Sequence, residues 1–280
     1  MNYRHAFHAG NFADVLKHTV LTGLLEALKG KQTPFCYMDT HAGRGRYQLN
    51  SDEAIRTGEY SGGVQRLLTA QRAPSLLHIY MNLIRGMNTG TEIVQYPGSP
   101  FLASLLMREQ DRGILCELQN EEANALKAVF REDARFAVHT RDGYAAMKAL
   151  LPPKERRGLV LIDPPFEAQD DEFRIIEHAL VDAHKRWPTG MYAIWYPIKL
   201  RQHVQPFHRW LTKSGFGNVL VAELLLHPDN SALRLNGAGM AIINAPWKFD
   251  KQLNELLPIL GELLAQGRYG QHRVEWLRQS

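Results

Sequence analysis

A short apolar run that ends in an acid and two prolines is the feature that most constrains this fold. Residues 159–166 read LVLIDPPF. Four consecutive apolar residues predict a strand that is buried on both faces, as in a parallel sheet. The strand must end at Pro164 and Pro165, because proline has no N–H group to donate to a ladder. Asp163 is therefore predicted at the carboxyl end of a central strand, where open α/β sheets bind their ligands.

Other acids are predicted at the same edge of the sheet, because each follows a strand-like run: Asp39, Glu117 and Asp142. The carboxyl ends of parallel strands meet at one edge, so these carboxylates should lie close together. Glu117 is placed to accept hydrogen bonds from both hydroxyls of a ribose. Asp142 is placed to accept one from an adenine amino group, and Gly143 would allow that close approach. The strand tips together indicate a nucleoside site.

Residues 163–166 suit the activation of an aromatic amine, whose lone pair is delocalised into its ring. Asp163 and the carbonyl of Pro164 can each accept one N–H bond from such an amine, which favours a localised lone pair. Phe166 offers a flat face on which a base can stack. A plain strand-ending turn explains the same four letters. They also resemble the [D/N]-P-P-[Y/F/W] signature of class I S-adenosylmethionine-dependent amino methyltransferases. The cofactor loop of these enzymes, D-x-x-x-G-x-G, is matched by Asp39, Gly43 and Gly45.

The long interval between the first two predicted strand tips indicates an insertion. In dinucleotide-binding folds the acid of the second strand follows the glycine loop after roughly 20 residues, whereas Glu117 lies much further along the chain. We infer a helical insertion at residues 47–96 within a methyltransferase core made of residues 1–46 and 97–280. The Leu and Ile stripe of the insertion predicts a small core of its own.

Two helix starts are predicted from capping residues. Asn11 is a plausible N-cap for a helix over residues 12–29, and Ser99 for a helix that begins directly after it. Lys17 and His18 lie on the first helix and could face a cofactor. The pattern alone favours solvated or locally hydrogen-bonded side chains at both positions.

Composition and charge exclude several classes of protein. With 280 residues, 45% of them hydrophobic and 22% charged, the chain is typical of soluble globular proteins. It has no apolar run of membrane-spanning length and no leader-like segment, so we expect a cytosolic protein. Cys36 and Cys116 are expected to be reduced core thiols. No metal site is expected, because neither the cysteines nor the histidines show a ligand spacing.

Two stretches, residues 61–91 and 183–222, carry basic side chains and no acid. Such surfaces could neutralise the phosphates of a nucleic acid, although solvated helix faces explain each stretch equally well. The candidate phosphate contacts are Arg66, Arg72, Arg85, Lys185, Arg186, Lys199, Arg201, Arg209 and Lys213.

Six stretches carry a more specific resemblance: residues 3–11, 14–18, 39–43, 56–60, 96–100 and 195–197. Together they resemble the RlmJ family of bacterial 23S ribosomal RNA adenine N6-methyltransferases. The resemblance implies a monomeric, Rossmann-like class I methyltransferase with a seven-stranded, mostly parallel sheet and a small inserted helical subdomain. It also implies Asp163 as the catalytic residue, adenine-2030 as the target, and contacts to S-adenosylmethionine from Lys17, His18, His41, Ser99, Glu117, Asp142 and Gly143.

Other functions remain open at the level of the residues. The same tetrapeptide serves DNA adenine N6-methyltransferases and protein glutamine N5-methyltransferases, and an RNA-binding module on an inactive methyltransferase fold is a non-enzymatic alternative. One departure from the commonest signature is Phe166, where many amino methyltransferases have Tyr. Stacking survives that change, but a contact through the hydroxyl would be lost.

Overall fold

The computed structural model describes residues 5–70, 73–90, 92–230, 235–265, 267 and 270–279. Within these residues the strands are β1 (Cys36–Asp39), β2 (Arg46–Gln48), β3 (Gln95–Pro97), β4 (Arg112–Glu117), β5 (Phe136–Thr140), β6 (Gly158–Ile162), β7 (Met191–Ile198), β8 (Val219–Leu225), β9 (Gly237–Ile243) and β10 (Gln271–Arg278). The α-helices are α1 (Phe12–Lys29), α2 (Asp52–Thr57), α3 (Val64–Leu67), α4 (Ser75–Gly86), α5 (Ser99–Leu106), α6 (Asn120–Val129), α7 (Gly143–Leu150), α8 (Gln169–Arg186), α9 (Arg201–Lys213) and α10 (Phe249–Leu264). Short 3-10 turns lie at His5–Phe7 and Glu59–Gly62.

Eight of these strands form one sheet in the order β5-β4-β1-β6-β7-β9-β8-β10. The first five are parallel, and β9 lies antiparallel between β7 and β8. This confirms the predicted α/β fold of the class I methyltransferases. The expected count of seven strands is wrong by one, because β10 pairs with β8 at the edge of the sheet. The sequence pattern predicted no element there, since an edge strand with one partner needs little apolar periodicity.

Helices cover both faces of the sheet. Leu159 and Leu161 of β6 pack with α1, α4, α5 and α10 in one apolar cluster. Val160 and Ile162 point the other way and pack with α7, α8 and α9 in a second cluster. All four side chains are fully buried, as expected for a central strand.

The predicted insertion, residues 47–96, begins in β2 and ends in β3, and these two strands pair antiparallel. The apolar side chains of its helices do not enclose a separate core. Leu67, Leu77 and Tyr80 belong to the same cluster as α1 and α10, which corrects the expectation of an independent core. Such short helices can bury an apolar face only against a larger element. The limits of the insertion stay a prediction.

Local signals were reliable for the first helix and for the two cysteines. Asn11 accepts a hydrogen bond from the backbone N–H of Asp14 and caps α1, as predicted. Cys36 and Cys116 are free and buried, and burial raises the pKa of each thiol to about 12. Among the described residues, no helix combines the length and apolar character needed to cross a membrane.

Candidate active site

A cavity of about 1060 Å³ opens at the carboxyl edge of the parallel strands. This volume is just above the roughly 300–1,000 Å³ of typical small-molecule sites. Nearly all of the predicted site residues line it: Lys17, His18, His41, Gly43, Ser99, Glu117, Asp142, Gly143, Asp163, Pro164 and Phe166. Residues from distant parts of the chain therefore meet in one cavity, with room for a nucleoside cofactor and a second ligand.

Asp39 is the exception, because it lies behind the cavity wall. Its buried carboxylate accepts hydrogen bonds from the hydroxyls of Tyr37 at 2.6 Å and Ser99 at 2.7 Å. It also accepts one from the backbone N–H of His41 at 3.2 Å. The predicted capping role of Ser99 is wrong, since Gly98 is the N-cap of α5. We propose that Asp39 orients Ser99 and His41 and does not itself touch a ligand.

The buried carboxyl of Asp39 gives a pH-dependent prediction. Burial raises its pKa from 3.8 to about 6, against the opposing hydrogen bonds from Tyr37 and Ser99. Because the folded-state pKa lies above the unfolded one, the stability contributed by Asp39 is complete below pH 3.8 and is lost as the pH rises through 6. Relative to Asp39→Asn, which cannot titrate, the wild-type free energy of unfolding should fall by up to about 3 kcal/mol over that interval. Denaturant unfolding of both proteins measures the difference, and a pH-independent difference would contradict the prediction.

Glu117 closes the glycine-rich loop from the tip of β4. Its carboxylate accepts the backbone N–H of Gly43 at 2.9 Å and that of Gln119 at 2.8 Å. Gly43 has φ +61°, and a Cβ there would lie 2.5 Å from the hydroxyl of Tyr47, so glycine is required. Burial raises the pKa of Glu117. Each carboxylate oxygen can accept one more hydrogen bond, which suits the two hydroxyls of a ribose.

Asp142 and Gly143 lie where β5 passes into α7. Asp142 caps the helix, because its Oδ1 accepts the backbone N–H of Ala145 at 2.7 Å. A Cβ on Gly143 would lie 2.1 Å from the carbonyl oxygen of Thr40, so packing between the strand tips already requires glycine. Both residues line the cavity, and the helix cap uses only Oδ1 of Asp142.

Asp163 lies directly after β6, as predicted, and is paired with a buried lysine of α1. Lys17 Nζ lies 2.6 Å from Oδ2 of Asp163 and 2.8 Å from Oδ1 of Asp14. His5 Nε2 lies 2.9 Å from the second oxygen of Asp14. Burial opposes the charge on Lys17, but the two carboxylates outweigh it and raise the pKa of Lys17 well above its usual range. The catalytic candidate therefore sits beside a fixed positive charge.

Phe166 forms part of the cavity wall. Its ring is 9% exposed and lies edge-to-face with Phe173 at 5.3 Å and Trp195 at 5.8 Å between centroids. Pro164 lines the same wall. The ring of Phe166 is therefore packed among aromatic neighbours and lines the same cavity as Asp163.

Comparison with known proteins identifies relatives of this chain. A family model described as ribosomal RNA large subunit methyltransferase D, RlmJ, matches residues 32–278. The chain is 43% identical over 277 residues to ribosomal RNA large subunit methyltransferase J of Escherichia coli (strain K12), with 99% of each chain covered. The protein of the same name from Haemophilus influenzae is 43% identical over 278 residues, again with 99% of each covered. The chain belongs to the RlmJ family.

A solved relative shares this fold. The crystal structure of protein LPL1258 from Legionella pneumophila superposes with a TM-score of 0.87 at 35% identity, covering 96% of this chain and 98% of that one. The architecture described above is therefore shared nearly end to end with that protein.

The RlmJ family implies S-adenosylmethionine as methyl donor, and the cavity residues fit that molecule. His18 is fully buried, its Nδ1 lies 2.8 Å from the hydroxyl of Tyr96, and its Nε2 has no partner among the described residues. Burial lowers the pKa of His18 to about 3, so the ring is neutral near pH 7. A buried polar atom without a partner on a cavity wall indicates a ligand contact. Glu117 and Asp142 line the same cavity, and their roles as acceptors for a ribose and an adenine amino group stay a prediction.

Three site residues of this RlmJ-family chain were missed from the sequence: Asp14, Tyr96 and Trp195. Asp14 precedes Lys17 by three positions on one helix, and that spacing could have identified the ion pair. Tyr96 and Trp195 begin two of the stretches that carry the family resemblance. The indole N–H of Trp195 is buried without a partner among the described residues, and Trp195 lines the cavity.

The predicted phosphate contacts divide into structural and exposed groups. Arg201 is structural, because it pairs with the buried Glu223 at 2.8 Å and with Asp229 at 3.0 Å. Arg66 donates to the carbonyl of Ala265 at 2.6 Å. Lys199 is exposed and lines the cavity. Arg72 lies outside the described residues. Among those described, no group of three or more His, Cys, Asp or Glu side chains could hold a metal ion.

Proposed function

We propose that this protein transfers the methyl group of S-adenosylmethionine to the N6 amino group of an adenine in 23S ribosomal RNA, with adenine-2030 as the implied target. One observation carries the proposal. Asp163, Pro164 and Phe166 lie together at the tip of β6, in the cavity that also holds the nucleoside-binding candidates Glu117 and Asp142. Membership of the RlmJ family supports the RNA substrate.

Asp163 and Pro164 would orient the amine of the target base. Lys17 occupies Oδ2 of Asp163, which leaves Oδ1 to accept one N–H. The carbonyl of Pro164 would accept the other. Two fixed acceptors would hold the amino group pyramidal, with its lone pair localised on nitrogen, and so supply preorganised electrostatic catalysis. The cofactor supplies the methyl group as part of a sulfonium ion. Asp163 need not be a strong base, since the amine becomes acidic once methylated and can lose its proton later.

The depth of these groups requires an extruded base. Asp163 is 15% exposed, so an adenine within a stacked helix could not reach it. A flipped or single-stranded nucleotide can enter the cavity and present its Watson–Crick edge. The fixed ring of Phe166 would then provide the stacking surface. On this view positioning contributes most of the rate.

Transfer of a labelled methyl group tests the proposal. The protein is incubated with labelled S-adenosylmethionine and unmodified 23S RNA, and the modified base is mapped. Label at N6 of one adenine supports the proposal. Label on DNA adenine or on a protein glutamine would support the alternatives instead. Calorimetry that detects no binding of S-adenosylmethionine would favour an inactive fold that only binds RNA.

The rim of the cavity yields a prediction about RNA affinity. Lys199 lies at the carboxyl end of β7. Lys213, which is also exposed, lies at the end of α9 near the opposite edge of the sheet. Lys199→Glu should weaken RNA binding and reduce the slope of log K against log salt by about 1, because one phosphate contact is lost. Filter binding at several salt concentrations measures both quantities.

Lys213→Glu is the matched control for charge. It changes the net charge by the same amount but lies away from the cavity, so its salt slope should equal that of the wild type. If the wild type, Lys199→Glu and Lys213→Glu had equal salt slopes, Lys199 would be a solvated surface lysine that contacts no phosphate. A ribosomal RNA substrate would also place the protein in the cytoplasm, and a monomer remains our prediction.

A further inference from the structure

His18 is held by a buried chain of two tyrosine hydroxyls. Its Nδ1 lies 2.8 Å from the hydroxyl of Tyr96, which lies 2.8 Å from the hydroxyl of Tyr80. The three side chains are fully buried. Tyr80 belongs to α4 and Tyr96 to β3. These hydrogen bonds therefore connect residues 47–96 to His18 on the cavity wall.

The protons of this hydrogen-bonded series can be arranged in two ways, and the position of the unpaired donor distinguishes them. In the first, Tyr80 donates to Tyr96, Tyr96 donates to Nδ1 of His18, and the ring carries its proton on Nε2. In the second, Nδ1 donates to Tyr96 and Tyr96 donates to Tyr80, which leaves the hydroxyl proton of Tyr80 without an acceptor among the described residues. Each arrangement leaves one donor unpaired, and a buried donor without an acceptor is unfavourable. In the first it is Nε2–H of His18, which lines the cavity and can be paired there, whereas in the second it is the hydroxyl of Tyr80, which does not line the cavity. The first arrangement is therefore favoured.

Two further donors on the cavity wall, Lys17 and Ser99, are already engaged. Lys17 donates to both Asp14 and Asp163. The hydroxyl of Ser99 donates to Asp39. The carboxylates of Glu117 and Asp142 on the same wall are acceptors. Two buried donors on the wall therefore lack a partner among the described residues, the Nε2–H of His18 and the indole N–H of Trp195. Trp195 packs against Phe166, the residue proposed to stack on the target base, whereas His18 follows Lys17 on α1, so we assign the Nε2–H of His18 to an anionic acceptor on the cofactor.

We infer that Tyr96 holds His18 in the Nε2–H tautomer, and that this N–H binds the carboxylate at the amino-acid end of S-adenosylmethionine. The inference rests on the proposed function for the identity of the ligand. Tyr96 does not line the cavity, so it is a positioning residue that acts through His18. Tyr80 completes the chain and is one hydrogen bond further from the ligand.

The tautomer is measured first, on the free protein. Long-range proton–nitrogen correlation spectra of protein labelled with ¹⁵N in histidine distinguish a protonated from an unprotonated ring nitrogen. We expect His18 to show a protonated Nε2 and a bare Nδ1 near neutral pH. A protonated Nδ1 would overturn the inference whether or not the protein methylates RNA.

Binding of two ligands then separates recognition from structural damage. S-adenosylhomocysteine has the amino-acid carboxylate, and 5′-methylthioadenosine lacks the amino-acid moiety. In Tyr96→Phe, calorimetry should show about tenfold weaker binding of S-adenosylhomocysteine, since one charge-assisted hydrogen bond is misplaced. Binding of 5′-methylthioadenosine should stay within about twofold. An equal loss for both ligands, or no loss for either, would overturn the inference.

Tyr80→Phe is the matched control. It removes a buried hydroxyl of the same chain but leaves the donation from Tyr96 to His18 in place. Its preference for S-adenosylhomocysteine over 5′-methylthioadenosine should equal that of the wild type, and a selective loss as large as in Tyr96→Phe would count against the assigned chain. Failure of the wild type to bind either ligand would refute the proposed cofactor and leave the tautomer result standing.

Discussion

Asp163→Ala should reduce methyl transfer to 23S RNA by about 10³-fold or more and leave the affinity for S-adenosylmethionine within about threefold of the wild type. Removal of one preorganised group that stabilises a transition state typically costs 10²–10³-fold in rate, and here the same side chain also positions the amine. Lys17 keeps its second partner, Asp14, so the buried cation remains paired and the fold should persist. Single-turnover transfer and calorimetry measure the two quantities.

Two further variants sharpen that result. Asp163→Asn retains one acceptor oxygen, and the signature of this enzyme class accepts Asn, so intermediate activity is expected. Asp171→Ala removes an exposed carboxylate at the start of α8 and should leave transfer unchanged. If Asp163→Ala were as active as Asp171→Ala, the catalytic role of Asp163 would have to be abandoned.

Lys17→Met should lower the free energy of unfolding by about 3–5 kcal/mol, because removal of one partner leaves buried charges uncompensated. The side chains of Lys17 and Asp14 are only 5% and 3% exposed. Burial would raise the pKa of Asp14, but His5 and Lys17 hold it well below 3.8. The stabilisation by the Asp14–Lys17 pair is therefore complete above pH 3.8 and is lost as the pH falls through the folded-state pKa of Asp14, which lies well below 3.8, so the two proteins should converge in strong acid. Denaturant unfolding across this range measures the effect.

The same helix offers a matched control for Lys17. Lys29 pairs with Glu26 at the same spacing, but both side chains are about one third exposed, at 29% and 33%. Lys29→Met should cost less than about 1 kcal/mol, as surface pairs do. Adding Asp14→Asn to Lys17→Met should restore part of the lost stability, since it removes one uncompensated charge. Equal stability of Lys17→Met and Lys29→Met would show that the buried pair contributes nothing.

Several parts of the fold could be predicted because their signals are local. The four apolar residues before Asp163 specify a strand buried on both faces, and the two prolines end it wherever it packs. Asn11 caps α1 through its own neighbours in sequence. The eighth strand was missed, because its pairing with β8 depends on a partner some fifty residues earlier and on no periodicity of its own.

The sequence by itself determined that acids gather at one edge of a parallel sheet, since every parallel strand delivers the residue after its end to the same side. Only the tertiary structure decided which of these acids face the cavity. Asp39 lies behind the cavity wall and accepts a hydrogen bond from Ser99. Asp163 pairs with Lys17 of α1, 146 positions earlier in the sequence, and Tyr96 is hydrogen-bonded to the ring of His18. Such pairings depend on side-chain directions in a close-packed interior, which residue types and spacing along the chain do not specify.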